Sequence, residues 1–356
     1  MLIGVFSKFD VSGGSEFRAV EMANSIVKHT EHKSILFVEK NLPPNIQAAL
    51  KPEVEVRLNL FKPEVNPQSV LRLYDVDVLL IINSDSYSFS KIDYWEGRTE
   101  HHRCFIDLTK MKKMVFLYNF VISPSTNLLE IEKKCPDIRI LVGNKRFMDE
   151  LNGDKEKLHV VQHYPRMLLH SPIDPTTVDP DKDPSPKIRI GKHSKAYGNK
   201  FNSDHARLIK AANEKHGDKI EWDFLGVPGE KIDSIYSIPN VTVRREFLIP
   251  VRQYLRGINI FLFFLEYKRI EPWSRSTAEA MVAGCPIIAN NKGGNIEQIL
   301  PGSNGFLCDD YEGFLEKTIY LIENPDKVKL MGRNAQIYAR EFTSEKIVQK
   351  FLEFIK

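Results

Sequence analysis

Two glutamates with seven residues between them, Glu271 and Glu279, enclose a run of small hydroxyl side chains, Ser274, Ser276 and Thr277, together with Arg275. A hydroxyl-rich helix start exposes amide groups that suit phosphate oxygens. A carboxylate one turn further on is placed to accept hydrogen bonds from a polyol such as ribose. Gly284 and Pro286 then end the helix, as a glycine just past the last turn and a nearby proline do. A surface loop and a first-turn glutamate would explain each carboxylate singly, but not the ordered set.

A second group lies upstream. Between residues 187 and 200 stand Lys187, Arg189, Lys192, Lys195 and Lys200 with no acidic residue among them. Such a cluster makes a local positive field suited to a diphosphate, and it also fits a solvated basic loop. Its position at the exit of a strand favours the first reading. Gly293 and Gly294 form a glycine pair at another strand exit and add a backbone wall to the same pocket. Near the start, Ser12-Gly13-Gly14-Ser15-Glu16 opens into a helix. It fits phosphate contact at a helix N-terminus and a tight capped loop equally well. The dinucleotide fingerprint G-x-G-x-x-G is absent, which argues against a nicotinamide dehydrogenase.

The elements that must position these residues alternate between apolar runs and segments of helical period, the pattern of parallel strands joined by crossover helices. Strands are expected at 2–6, 34–38, 76–82, 114–117 and 138–142, then at 188–190, 220–225, 241–244, 258–264 and 286–289. Helices are expected at 16–28, 204–215, 276–283 and 312–323. The first carries Phe17, Val20, Ala23 and Val27 on one stripe. A last helix starts after Thr343 or Ser344 and carries Ile347, Phe351 and Ile355, which need a surface to cover them. Six prolines between 165 and 186 mark a linker. Two doubly wound α/β domains follow, with ligands bound outside the carboxyl ends of the strands.

Composition narrows the function classes. The 356 residues suit two ordinary domains. With 50 Lys and Arg against 47 Asp and Glu, the net charge of +3 is too balanced for a general polyanion binder. Cys104, Cys135, Cys285 and Cys308 are widely spaced, read as reduced structural thiols, and indicate neither a zinc site nor a redox pair. Neither a secretory leader nor an apolar run of membrane-spanning length is evident, so the expected location is the cytoplasm, with peripheral attachment to the inner membrane face as a variant.

The ordered set of motifs resembles the retaining glycosyltransferases of family four, which have the GT-B fold. The match rests on Gly13-Gly14-Ser15-Glu16, on Gly191-Lys192-His193-Ser194-Lys195, on the pair Glu271 and Glu279 with its Ala-Met-x-Ala-Gly-x-Pro continuation, and on Gly293-Gly294 with Glu297. The resemblance implies two Rossmann-like domains facing across a cleft. They comprise an acceptor domain at 1–165, a linker at 166–187, a donor domain at 188–340 and a C-terminal helix at 341–356 crossing back onto the first domain. It also implies transfer of a sugar from a UDP- or GDP-sugar to a hydroxyl, with retention and without a metal or other cofactor.

Residue by residue, the resemblance gives Glu271 the donor-sugar hydroxyls and Glu279 the ribose. Lys192, with Lys195 or Lys200, takes the diphosphate, and Gly13 and Gly14 approach the donor phosphate. Ser274, Arg275, Ser276, Gly293 and Gly294 line the donor site. Lys192 stands where the family usually has arginine, and Trp273 and Ser274 where it often has phenylalanine and glycine. The family's first-domain histidine has no counterpart between Tyr118 and Ser125, so Asn119 and Ser123 are the acceptor-side candidates, with His101 and His102 upstream. The implied acceptor is a cell-envelope glycan or lipid-linked sugar. Two other readings stand beside it. One is a glycosyltransferase acting on modified bases of phage DNA, suggested by the mixed basic and aromatic segment 91–113. The other is a non-catalytic nucleotide-sugar-binding protein.

Overall fold

The computed structural model describes residues 1–7, 14–38, 42–57, 76–82, 112–118, 137–153, 163–177, 182 and 185–356. The chain divides into two compact units, Met1–Pro172 with Ser344–Lys356, and Ile173–Thr343.

The first unit is built on a seven-stranded sheet. Its strands are β1 (Leu2–Ser7), β2 (Lys33–Val38), β3 (Glu55–Arg57), β4 (Val78–Ile82), β5 (Lys113–Tyr118), β6 (Ile138–Val142) and β7 (Arg166–Leu168). The order is β3-β2-β1-β4-β5-β6-β7 and every pairing is parallel. The central strands are apolar almost throughout because a parallel sheet buries both faces. All five residues of β4 are buried.

Helix α1 (Gly14–His29) packs Val20, Ala23 and Ile26 onto this sheet. The C-terminal helix, Ser344–Ile355, also belongs to this unit. Its stripe of Ile347, Val348, Phe351 and Ile355 is buried in the same core as α1. The ring nitrogen of His29 lies 2.9 Å from Ser344 Oγ, and Arg139 donates to the Phe354 carbonyl. One orphan carbonyl of the helix end is thereby met by a cation of the sheet, and Lys113 donates at 3.1 Å to the Lys356 carbonyl just past it.

The second unit carries a six-stranded sheet in the order β10-β9-β8-β11-β12-β13. These strands are β8 (Ile188–His193), β9 (Ile220–Leu225), β10 (Val241–Arg244), β11 (Ile260–Phe263), β12 (Ile287–Asn290) and β13 (Gly305–Cys308), again all parallel. Helices α2 (His205–His216), α3 (Arg275–Val282), α4 (Asn295–Gln298), α5 (Tyr311–Glu323) and α6 (Pro325–Ala339) complete the part used below. We call the C-terminal helix α7. Two apolar clusters cover the sheet, one around Trp222, Phe224, Phe264 and Phe314, the other around Phe261, Met281 and Phe342. Strand order reverses between β8 and β11, the switch point at which open α/β sheets bind ligands beyond their carboxyl ends.

Three differences from the sequence reading stand out. β8 continues through Lys192 and His193, because parallel main-chain pairing with Phe224 and Leu225 is indifferent to the polar side chains. β3, β7 and β13 were not expected; they are short, and none carries a long apolar run. The proline-rich stretch read as a linker contains β7, and Ile173 within it is fully buried in the second unit, bridged to Thr343. Among the described residues no helix is long and apolar enough to cross a membrane. Cys285 and Cys308 are buried free thiols.

Candidate functional site

The described candidates of the second unit gather at the carboxyl ends of β8, β11 and β12 and at the start of α3. Ser274 caps that helix: its Oγ accepts from the Thr277 amide at 3.1 Å and from Thr277 Oγ1 at 2.8 Å. Gln298, in α4 and fully buried, grips the same residue from both sides. The Ser274 amide donates to its Oε1 at 3.2 Å, and its Nε2 donates to the Ser274 carbonyl at 2.8 Å. The helix start is therefore held in place before any ligand arrives. Ser276 Oγ lies 3.2 Å from Ser274 Oγ.

One turn on, Glu279 is buried with its two oxygens on different neighbours. Arg275 Nε donates to Oε1 at 2.8 Å, while His193 Nε2 lies 3.3 Å from Oε2. Burial raises the affinity of the Glu279 carboxyl for its proton, and the Arg275 guanidinium opposes that shift. His193 is pushed down to about 3, first by burial and then by the positive charges of Arg275 and Lys192. The imidazole is neutral at physiological pH, so the contact with Glu279 is not an ion pair. Tyr254 and Phe261 meet the ring edge-on, with centroids at 6.0 Å and 5.5 Å. Gly191 leaves room for this packing: a Cβ there would stand 2.5 Å from the Tyr254 hydroxyl, which donates to the Asp223 carbonyl.

Glu271 lies in the loop after β11. Its Oε2 is 3.2 Å from Lys200 Nζ and 3.2 Å from Arg269 Nη2. Its carbonyl accepts from the Gly294 amide at 2.9 Å. Here the glycine pair has a definite task. Gly293 sits at φ +60°, and a side chain on either glycine would run into the backbone of 271–273. The pair lets the Glu271 loop lie against the exit of β12, rather than simply forming a wall of its own.

The basic cluster divides by burial. Lys192 is fully buried, between the rings of Phe201 and Phe263, and its Nζ donates to the Lys200 carbonyl and, at 3.2 Å, to the Phe264 carbonyl. Burial, with Lys200 beside it, drives its amine well below the ordinary lysine value. The expected diphosphate cation is thus a staple between two loops, while Lys187, Arg189, Lys195 and Lys200 are all half-buried. Lys195 Nζ lies 5.6 Å from the Tyr197 ring centre. Arg189 pairs with Glu221 at 3.1 Å.

Sequence reasoning missed the residues that set these loops. Asn290 Oδ1 accepts from the Leu265 amide at 2.7 Å, and Asn202 Nδ2 donates to the Leu265 carbonyl at 2.7 Å. His193, Arg269 and Gln298 were also unassigned. His193 lies beyond the strand expected at 188–190, so nothing in the sequence marked it as buried. Gly13, Asn119, Ser123, His101, His102 and all of segment 91–113 except Lys112 and Lys113 lie outside the described residues. Gly14 begins α1.

With this geometry in hand, the chain can be set beside known proteins. Residues 249–338 match the family model of glycosyl transferases group 1. That segment holds Glu271, Glu279, the glycine pair and Gln298. A trehalose synthase of Pyrococcus horikoshii is 30% identical over 154 residues, 42% of this chain and 36% of that protein. The chain thus aligns with about a third of the length of the trehalose synthases it matches. HepE of Anabaena, solved in complex with UDP-glucose, is similar over 100% of this chain and 99% of its own, with 16% identity and a TM-score of 0.69. A glycosyltransferase of Rickettsia africae is similar over 100% and 98%, with 15% identity and a TM-score of 0.72. These likenesses establish the fold as GT-B, with two Rossmann-like domains.

Proposed function

We propose that the chain is a retaining glycosyltransferase that moves a sugar from a UDP- or GDP-sugar to a hydroxyl acceptor. The bond between the anomeric carbon and the diphosphate oxygen breaks, and a bond to the acceptor oxygen forms on the same face. The acceptor proton leaves with the diphosphate. The observation that carries this reading is the pair of carboxylates, Glu271 and Glu279, each held by a neighbouring cation within 3.2 Å beside the capped start of α3. The group 1 match over this segment and the UDP-glucose complex of HepE support it.

In this reading Glu279 accepts the ribose hydroxyls and Glu271 the hydroxyls of the transferred sugar. Lys200, Lys195 and Arg275, with the helix start at Ser274 and Ser276, meet the charge that grows on the leaving diphosphate. Side-chain cations then do the work a metal would otherwise do, and the reaction needs none. Lys192 supports Lys200 from below. The acceptor is a cell-envelope glycan or lipid-linked sugar, reached from the cytoplasm.

The test is incubation of the purified chain with anomerically pure UDP- and GDP-sugars, followed by proton NMR of the released sugar. Slow hydrolysis with the donor's anomeric configuration in the first-formed product is expected. An inverted product overturns retention. Nucleotide-sugar binding with neither hydrolysis nor transfer identifies a non-catalytic binder instead.

A further inference from the structure

His193 has no part in the donor contacts assigned above, yet it is buried against the carboxylate that those contacts need. Glu279 Oε1 is fixed by Arg275 at 2.8 Å, so the orientation of the carboxyl plane depends on what holds Oε2. Among the described residues, the His193 ring nitrogen stands beside that oxygen at 3.3 Å. Nε2 is buried, and no group other than that oxygen is placed to meet it among the described residues. The ring is not free to swing away, since Tyr254 and Phe261 stand against it.

We infer that His193 is a positioning residue, sharing one proton with Glu279 Oε2 and so holding the carboxyl plane where its remaining lone pairs meet the 2′- and 3′-hydroxyls of the donor ribose. The inference rests on the donor-site reading above. It deepens that reading by making selectivity for ribose over deoxyribose a property of the His193–Glu279 pair.

The surroundings are consistent with one shared proton. Lys192 from the same strand, Arg275 from α3 and Lys200 from the following loop all oppose a second proton on the ring, and Tyr254 faces it from the helix Val251–Arg256. Burial favours the protonated Glu279 carboxyl. Without a proton between them, the Oε2 lone pairs and the acceptor nitrogen of a neutral ring would repel. A glutamine at this position can offer an amide N–H close to the place of Nε2, whereas a shorter asparagine cannot.

The experiment is calorimetric titration of wild type, His193→Phe, His193→Gln and His193→Asn with UDP and 2′-deoxy-UDP, and with GDP and 2′-deoxy-GDP. Donor KM and kcat and thermal melts are measured in parallel. Wild type is expected to prefer the ribonucleotide. His193→Phe and His193→Asn are expected to weaken it about tenfold while leaving the deoxy analogue nearly unchanged, and to raise donor KM more than they lower kcat. His193→Gln is expected to restore most of the preference. Equal weakening of ribo and deoxy forms, or no rescue by glutamine, overturns the inference and leaves His193 as packing. A wild type that binds both forms equally also overturns it, with nucleotide binding itself intact. Failure of the wild type to bind any nucleoside diphosphate instead removes the donor-site reading, and this inference with it. Should His193→Phe not fold, the contrast between glutamine and asparagine decides.

Discussion

The ammonium of Lys200 lies 3.2 Å from the Glu271 carboxylate, and the main-chain carbonyl of the same lysine accepts from the buried amine of Lys192. The loop after β8 is thus tied to the site at its side chain and at its backbone. In the donor-site reading proposed above, an arriving diphosphate competes with Glu271 for Lys200.

That competition sets two opposite expectations. Glu271→Gln releases Lys200 and is expected to strengthen binding of the bare nucleoside diphosphate by roughly threefold, the scale of a partly exposed ion pair. Lys200→Met is expected to lower kcat by about 10²–10³, as loss of one preorganised charge stabiliser does. Calorimetry reads the first and steady-state kinetics the second. Unchanged nucleotide affinity in Glu271→Gln would show that Lys200 does not meet the diphosphate.

Gly293 is required by its φ of +60° and by the nearness of the Glu271 carbonyl. Gly293→Ala is expected to cost about 1–3 kcal/mol, the range for a residue held in a disfavoured conformation. In a unit of this size the melting temperature should fall by roughly 2–12 °C. A calorimetric scan in which the alanine variant melts with wild type would contradict the placement of this loop.

Acid should weaken the second unit. His193 and His205 are buried and neutral when folded, with proton affinities far below the ordinary histidine value, so unfolding takes up protons as pH falls below about 6.5. Stability conferred by these neutral rings is complete above that value and is lost on the way down. Each ring should withdraw about 1.4 kcal/mol between pH 7.5 and pH 5.5. Glu279 runs the other way: its raised proton affinity favours the folded state at low pH, and that contribution is lost as pH rises through the raised value. Urea titrations at the two pH values should therefore show a net loss in acid, and His205→Phe should shrink that loss by about 1.4 kcal/mol. An equal loss in this variant would mean that His205 is already protonated in the fold.

The C-terminal helix α7 should hold the first unit together. Phe351 is fully buried in the core it shares with α1. Phe351→Ala is expected to cost about 3–5 kcal/mol. Hydrogen exchange should show that loss in α1, β1 and β2, with the sheet of the second unit unaffected. Equal loosening of both units would argue against this assignment.

Much of this was legible in the order of residues. The central strands announce themselves because parallel strands buried on both faces are apolar runs, as in Val78–Ile82 and Ile260–Phe263. The start of α3 could be read to within a residue from its run of small hydroxyl side chains, and the stripe of α7 from its spacing. What could not be read are the contacts made over long separations. Gln298 looks like any polar residue in a short helix until its amide is found on both sides of Ser274. Lys192 looks like a surface cation until two carbonyls and two rings are found around it. The three-residue strands β3 and β7 owe their form to the sheet beside them rather than to a pattern of their own.

The central claim is that a nucleoside diphosphate sugar binds through Glu279 and the Lys200 loop. Thermal unfolding against a panel of nucleotide sugars tests it most directly, because a ligand at a hundredfold its Kd adds about 2.7 kcal/mol to the folded state. The account predicts saturable stabilisation by at least one UDP- or GDP-sugar, lost in Glu279→Ala. Stabilisation by none of them, or the same stabilisation in the alanine variant, would contradict it.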